Sequence, residues 1–389
     1  MAFLGNINLG YLLVVVSLVV IIAKMNKWLG FIKMFRKEIL LFTIVLFYSI
    51  FRSGLMGDYM YIVRHILSVL YLVSVIPFIL IYANKVGINN GSSFVKAILI
   101  VSSIASCISV LAVIFPTIDD IIRTVVIQYE EDDYLYGRLT RGYGIAGSLT
   151  SSYGYIQGVI FAFGFMYLKE NRWFLFFMPF VFLSALINAR TGVLIAFWGI
   201  AVLVFSKSKK SIITSVILVT FFVFKIEDIL RLFNINDYTV AWILDFQDQM
   251  FEISSGNIND GAAYKLFNRM IVWPSGFLEW ILGKGINLFD VDINQGKSDI
   301  GWIIQINYGG ILYAIPLYYA FVVMAKRLTK NHLYGLMLFF MGAAIIVNTK
   351  SKIFPTTSFF PIFMLLYVIK INEVLLSRKN DKSLLCSIP

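Results

Sequence analysis

Charge is scarce in this chain. Of its 389 residues only 14% are Asp, Glu, Lys or Arg, while 59% are hydrophobic. That balance excludes a soluble domain of this length and points to a multi-span membrane protein. Histidine and cysteine are rarer still, with two of each. Cys107 falls inside an apolar run and Cys386 in the polar C-terminal segment, so neither a disulfide framework nor a cysteine metal site is available. His65 opens an apolar segment beside Arg64, and His332 sits in a short polar loop. A general base in any long hydrophilic segment must therefore be a carboxylate. No Lys or Arg precedes Lys24, so the first apolar segment lacks the positive front of a cleavable signal and is expected to stay as a span. No repeat of fixed period is visible, which sets solenoid architectures aside.

What is abundant is long apolar runs. A bilayer interior offers backbone groups no water, so spans must be helices or a closed barrel, and unalternating runs exclude the barrel. At about 20 residues per crossing, the sequence predicts about 11 transmembrane helices, near 7–23, 38–55, 65–83, 95–115, 152–168, 173–189, 191–205, 210–225, 302–324, 333–349 and 353–371. The expected class is all-α, a single polytopic membrane domain over residues 1–389. It would carry a first outside loop at 116–151, a large outside loop at 226–301 and a cytoplasmic tail at 372–389, polar and unstructured from Ser377.

Lysine and arginine set the orientation. With the N-terminus outside, 19 of the 33 basic residues fall in cytoplasmic segments and 18 of the 22 acidic residues fall outside, as the retention of positive loops requires. The net charge of +11 is then mostly topology, and nucleic acid is not an expected partner.

Several motifs in the outside loops suggest chemistry. "GYGIAG", Gly142 to Gly147, spells G-x-G-x-x-G, but no strand precedes it, and a dinucleotide site needs the strand–turn–helix context. Glycines just before a span instead permit close approach to a neighbour or ligand. "DVD", Asp290 to Asp292, has a spacing used to hold divalent ions, yet two carboxylates two apart are common, and no metal is expected. "EEDD", Glu130 to Asp133, reads as a solvated face. "VAWILDFQDQMFEI" puts Ile243, Phe246, Met250 and Ile253 on one helical face, the pattern of a helix lying on the membrane or on other spans. Trp242, Trp273, Trp280 and Trp302 lie in or at the end of the large loop. Interfacial anchoring explains such residues, and a sugar-stacking platform built on Trp273 and Trp280 is the sharper alternative.

One residue stands out against its surroundings. In "NARTGVLIAF" Arg190 is the only charge between Trp173 and Phe205, and an arginine at a bilayer centre costs roughly 3 kcal/mol even on lenient scales. The run is too long for one span and divides at a tight turn over Asn188 to Gly192, which would bring Arg190 to a membrane surface. It either caps a helical hairpin by reaching the headgroups or faces a ligand.

Four elements in order carry a resemblance: "RLTRGYGIAGSLTSSYGYIQG", "NARTGVL", "NRMIVWPSGFLEWILGKGINLF" and "SDIGWIIQINYGGILYAIPL". Together, across roughly residues 138 to 320, they resemble the O-antigen polymerase and O-antigen ligase superfamily, whose pattern is an arginine with glycines before a span, an Arg-Thr-Gly turn, a loop arginine followed by Gly-x-Gly, and a polar pair leading into a Gly-Gly span. The resemblance implies a C-type glycosyltransferase-like protein, metal-independent and without cofactor. It would act on undecaprenyl-diphosphate-linked oligosaccharide at the outer face of the bacterial cytoplasmic membrane. Arg190, Arg269 and Arg141 match the arginines expected to hold the lipid diphosphate. Ligases of this superfamily carry a histidine near the position of Asp299, and its absence argues here for the polymerase branch, with Asp299 or another loop carboxylate as the proton acceptor; an N-cap of the ninth span is the ordinary alternative for Asp299. A chain-length regulator and a flippase are the protein partners that such an activity implies. A ligase acting on a different acceptor, or a non-enzymatic polysaccharide flippase, are the competing functions.

Overall fold

The computed structural model describes residues 3–4, 7–56, 59–85, 91–125, 151–206, 269–289, 296–356 and 358–385, together with Gly144, Val291 and scattered positions between 225 and 244. Apart from a two-residue antiparallel pairing of Phe3–Leu4 with Ile7–Asn8, the long described elements are helices. They are α1 (Leu9–Ala23), α2 (Met25–Met34), α3 (Arg36–Met56), α4 (Tyr59–Leu70) continuing through a π-helical turn (Tyr71–Val75) into α5 (Ile76–Lys85), α6 (Gly91–Ile114), α7 (Pro116–Val125), α8 (Ser152–Met166), α9 (Phe174–Asn188), α10 (Arg190–Ser206), α11 (Phe277–Leu282), α12 (Gly301–Lys330), α13 (Tyr334–Lys350) and α14 (Phe359–Leu385).

Ten of the eleven predicted spans coincide with described helices, and the eleventh, 210–225, lies almost wholly outside the described residues. Length divides them. Four described helical stretches are long and apolar enough to cross a membrane: Arg36–Met56, Tyr61–Ala83, Ser92–Ile114 and Gly301–Lys330. α1 and α2 make a fifth only as a pair bent by 105°, while Phe174–Asn188, Arg190–Val202 and Tyr334–Lys350 are apolar but shorter. The predicted unstructured tail differs too, since α14 runs on to Leu385.

The surface confirms the solvent. Leu40, Phe47, Phe51 and Leu55 share one face of α3 and are each at least 60% exposed, and an unbroken apolar stripe of this kind belongs against lipid. The interior is aromatic: Phe42, Phe163, Phe339, Phe340, Phe354 and Tyr367 are almost fully buried, with edge-to-face pairs such as Phe340 on Phe363 at 4.9 Å and 87°.

Small residues let α8, α9 and α10 pack closely. A Cβ added at Gly158 would overlap the carbonyl oxygen of Gly192, one at Gly192 that of Gly154, and one at Gly199 the side chain of Ala162. These contacts run in the same direction along both chains, so α8 and α10 are parallel and their N-termini abut. α9 runs antiparallel to α8, with Phe174 beside Gly164 and Ala189 beside Gly154. The predicted turn from Asn188 to Gly192 is tighter than expected: Ala189 alone is extended (φ −159°, ψ 117°), and α10 starts at Arg190.

Contacts sort the helix termini into two ends. Glu38 meets Arg327 and Tyr367, and Lys370 meets Tyr167, at one end. Arg52 meets Gly283, Ser68 meets Thr356, and Tyr155 meets Phe359 at the other. Arg190, beside Gly154 at the start of α8, belongs to the second end.

Candidate functional site

At that second end a segment with little regular structure is built into the helices. α12 is not one rod, because Gly310 (φ 60°, ψ −160°) interrupts it, in a region of backbone space that side chains rarely adopt. Residues 281–285 fill the interruption. Lys284 N donates to Asn307 O and Gly285 N to Tyr308 O at 2.9 Å, while a Cβ at Gly310 would overlap Ile281 O and one at Gly283 would overlap Tyr308 O. The Gly283-Lys284-Gly285 and Gly309-Gly310 motifs, 26 residues apart in sequence, are therefore two halves of one backbone joint. α3 closes it from the other side: Tyr48 Oη donates to Leu282 O at 2.8 Å and Arg52 Nη2 to Gly283 O. Tyr308 is pinned to Ser49 Oγ at 2.7 Å and to Ser53 Oγ. Tyr313, past the break, bonds His65 Nε2 at 2.8 Å, and His65 Nδ1 donates to Tyr61 O.

This joint carries the predicted loop residues. Ser298 Oγ donates to Met270 O at 2.7 Å, which brings the residues next to Arg269 and Asp299 into direct contact. Arg269 itself is exposed. Asp299 is not the N-cap of α12; Ile300 holds that position without a side-chain cap, and Ser298 Oγ accepts from its N–H. Asp299 Oδ2 instead meets Lys350 Nζ at 2.6 Å, with Asp299 one-fifth exposed. Trp273 stacks on Trp280 at 5.4 Å and 22° and tilts against Trp302 at 5.3 Å, so three indoles form one surface, with Trp273 half-exposed. Glu279 accepts from Ser275 Oγ and N, both at 2.7 Å, and these bonds hold its carboxyl below the usual carboxylate range.

Arg190 occupies a separate part of the same end. It is the first residue of α10, beside the start of α8, so two parallel helix N-termini present partial positive charge next to a guanidinium. Behind it lies a polar seam between apolar helices: Asn188 Nδ2 donates to Ser109 Oγ at 3.2 Å, and Ser106 Oγ to Gln157 Oε1 at 2.9 Å. Gly144 of "GYGIAG" is buried with φ 53°, and a Cβ there would meet the Ser109 backbone at 3.0 Å. Gly144 is thus packed directly against α6. Arg141, Asp290, Asp292, Glu130 to Asp133 and most of the 240–253 amphipathic stretch lie outside the described residues.

Sequence reasoning missed Arg52, Lys350 and Lys352. Arg52 lies within the predicted 38–55 span, and Lys350 and Lys352 fall between the 333–349 and 353–371 spans, with nothing local to single them out. Yet Lys352 is only 8% exposed, bonds Asn287 Oδ1 at 3.2 Å and lies 4.4 Å over the Tyr61 ring. His65 was legible only as a span boundary and proves fully buried within the helix. Among the described residues no group of three His, Cys, Asp or Glu could hold a metal ion.

Fold and site define a helical, multi-pass membrane protein with a loop segment locked into one end of its bundle. Comparison with protein-family models, with curated proteins and with solved structures finds no match to this chain.

Proposed function

We propose that the chain is a polymerase of lipid-linked oligosaccharide repeat units, for O-antigen or for a capsular or exopolysaccharide. In this reading eleven helices span the bacterial cytoplasmic membrane, and the end bearing Arg190 and the 269–300 segment faces outward. One observation carries the reading: Arg190 beside two helix N-termini shares an end of the bundle with Arg269, Asp299 and the tryptophan surface. Donor diphosphate binds Arg190, Arg269 and Arg141, because guanidinium forks match phosphate oxygens. The acceptor sugar lies against Trp273 and Trp280.

Asp299, oriented by Lys350, accepts the proton of the acceptor hydroxyl. The hydroxyl oxygen bonds to the anomeric carbon of the growing glycan, the bond from that carbon to the diphosphate oxygen breaks, and undecaprenyl diphosphate leaves with the electron pair. The arginines offset the charge that gathers on it. A single displacement inverts the anomeric centre.

A transporter of lipid-linked glycan is the second reading, favoured by the break at Gly310, since interrupted helices mark transporter sites. The break here, however, is filled by residues 281–285 rather than lining a cavity. Gene deletion followed by glycan electrophoresis separates the readings. Loss of a polymerase leaves single repeat units on the surface, loss of a ligase leaves unattached polymer, and loss of a flippase traps units inside. An unchanged ladder would sink the polymerase reading.

A further inference from the structure

Arg327 and Arg52 are both partly buried, at opposite ends of the α3–α12 pair. Among the described residues neither Arg327 Nη1 nor Arg52 Nε makes a hydrogen bond, but Arg327 alone of the two has a carboxylate beside it. Arg327 Nη1 lies 3.1 Å from the buried Glu38 carboxylate, Nη2 donates to Met34 O at 2.6 Å, and the guanidinium covers the Phe35 ring at 4.9 Å. Arg52 meets no carboxylate among the described residues. Its Nη2 donates to Gly283 O, and its Nε is buried without a hydrogen-bond partner among the described residues. Charge withdrawn from water is costly unless paired, so a guanidinium held in this way calls for an anion.

The surroundings suit one. At Gly285 (φ 74°) the backbone passes close to the guanidinium, since an added Cβ there would lie 3.3 Å from Arg52 Nε and overlap Met56. Lys352, held on Asn287 two residues beyond Gly285, brings a second cation to the same segment.

We propose that Arg52 binds the diphosphate of a second lipid-linked unit. This rests on the polymerase reading: joining two such units requires two diphosphates to be held in one leaflet, and Arg190 with Arg269 provides for one. The ligand class is a phosphate ester carried on a lipid, received by Arg52 through charge-assisted N–H bonds. Arg52 is then a binding residue of the acceptor, with Asp299 remaining the proton acceptor.

The full chain in phosphatidylcholine nanodiscs is titrated with farnesyl diphosphate, and bound ligand per chain is counted. Wild type is expected to take two and Arg52→Gln one, the affected site weakening at least tenfold. Tyr48→Phe, which removes the neighbouring tether to Leu282 but keeps the charge, is expected to take two. Should Arg52→Gln not be recovered folded, Arg52→Lys serves in its place, with about tenfold weaker binding at that site expected from loss of the fork. Unchanged binding in the Arg52 variants, or equal loss in Tyr48→Phe, overturns the proposal. Displacement by inorganic pyrophosphate supports a diphosphate site; displacement by phosphatidylglycerol alone assigns Arg52 to bulk anionic lipid and overturns it. Arg190→Gln reports on the parent reading: if it still takes two while Arg52→Gln takes one, the donor site has failed and the Arg52 site has not.

Discussion

At the scale of single residues, the proposed function depends on what a guanidinium does that an ammonium cannot. A hairpin end needs only a cation that reaches the headgroups, and lysine does this almost as well as arginine. A diphosphate clamp needs two parallel donors in a fixed plane. Arg190→Lys should therefore insert at normal abundance yet lose chain extension. Removing one charge-assisted contact to a developing anion costs about 2–4 kcal/mol, a rate loss of roughly two to three orders of magnitude. Polymer length on a glycan gel, at matched protein level, measures this, and near-normal polymer would return Arg190 to a structural role. Arg269 is exposed, so its removal should cost little stability. Arg269→Lys and Arg269→Ala are both expected to abolish polymer with the protein still in the membrane, and full activity in the alanine variant would remove Arg269 from the site.

At the scale of elements, glycine sets how closely backbones approach. Replacing a helical glycine by alanine is ordinarily worth about 0.5–1 kcal/mol in favour of the helix. At Gly192 that gain is overridden, because the new Cβ would overlap the backbone of Gly154, which no rotamer change can relieve. Overpacking of this kind costs about 1–3 kcal/mol. Gly192→Ala is expected to lower the melting temperature in detergent and to displace Arg190 from the start of α8. Gly30→Ala, where nothing lies within 4 Å of the new Cβ, should be neutral or slightly stabilising. Equal melting temperatures for the two variants would show that the α8–α10 contact is not this tight.

At the scale of the whole molecule, the two ends of the bundle differ in what holds them. One end is closed by Glu38, Arg327 and Tyr367, and the other by backbone joints around glycine and by the Asp299–Lys350 pair. In the proposed mechanism, charge on the leaving diphosphate is offset by arginine rather than by a cation. Purified protein should then polymerise lipid-linked units in the presence of EDTA, and Asp292→Asn should be mild. Loss of activity on chelation, with recovery on adding magnesium or manganese, would promote Asp290 and Asp292 to ligands.

Composition alone determined the solvent, and apolar run length determined where the helices lie, because both follow from the cost of exposing backbone to hydrocarbon and need no knowledge of neighbours. The division at Asn188 to Gly192 was legible for the same reason, since the run is too long for one crossing, although Asn188, Ala189 and Thr191 prove buried at the break. Pairing was not legible. Nothing local says that Gly283 and Gly285 dock on Gly309 and Gly310, that Asp299 meets Lys350 rather than capping α12, or that Trp302 completes the surface begun by Trp273 and Trp280. Arg52 and Lys352 were missed because a basic residue within or beside an apolar run looks alike whether it faces water, headgroups or a loop. Only tertiary structure, by bringing distant backbone against it, decides which of these a charge will meet.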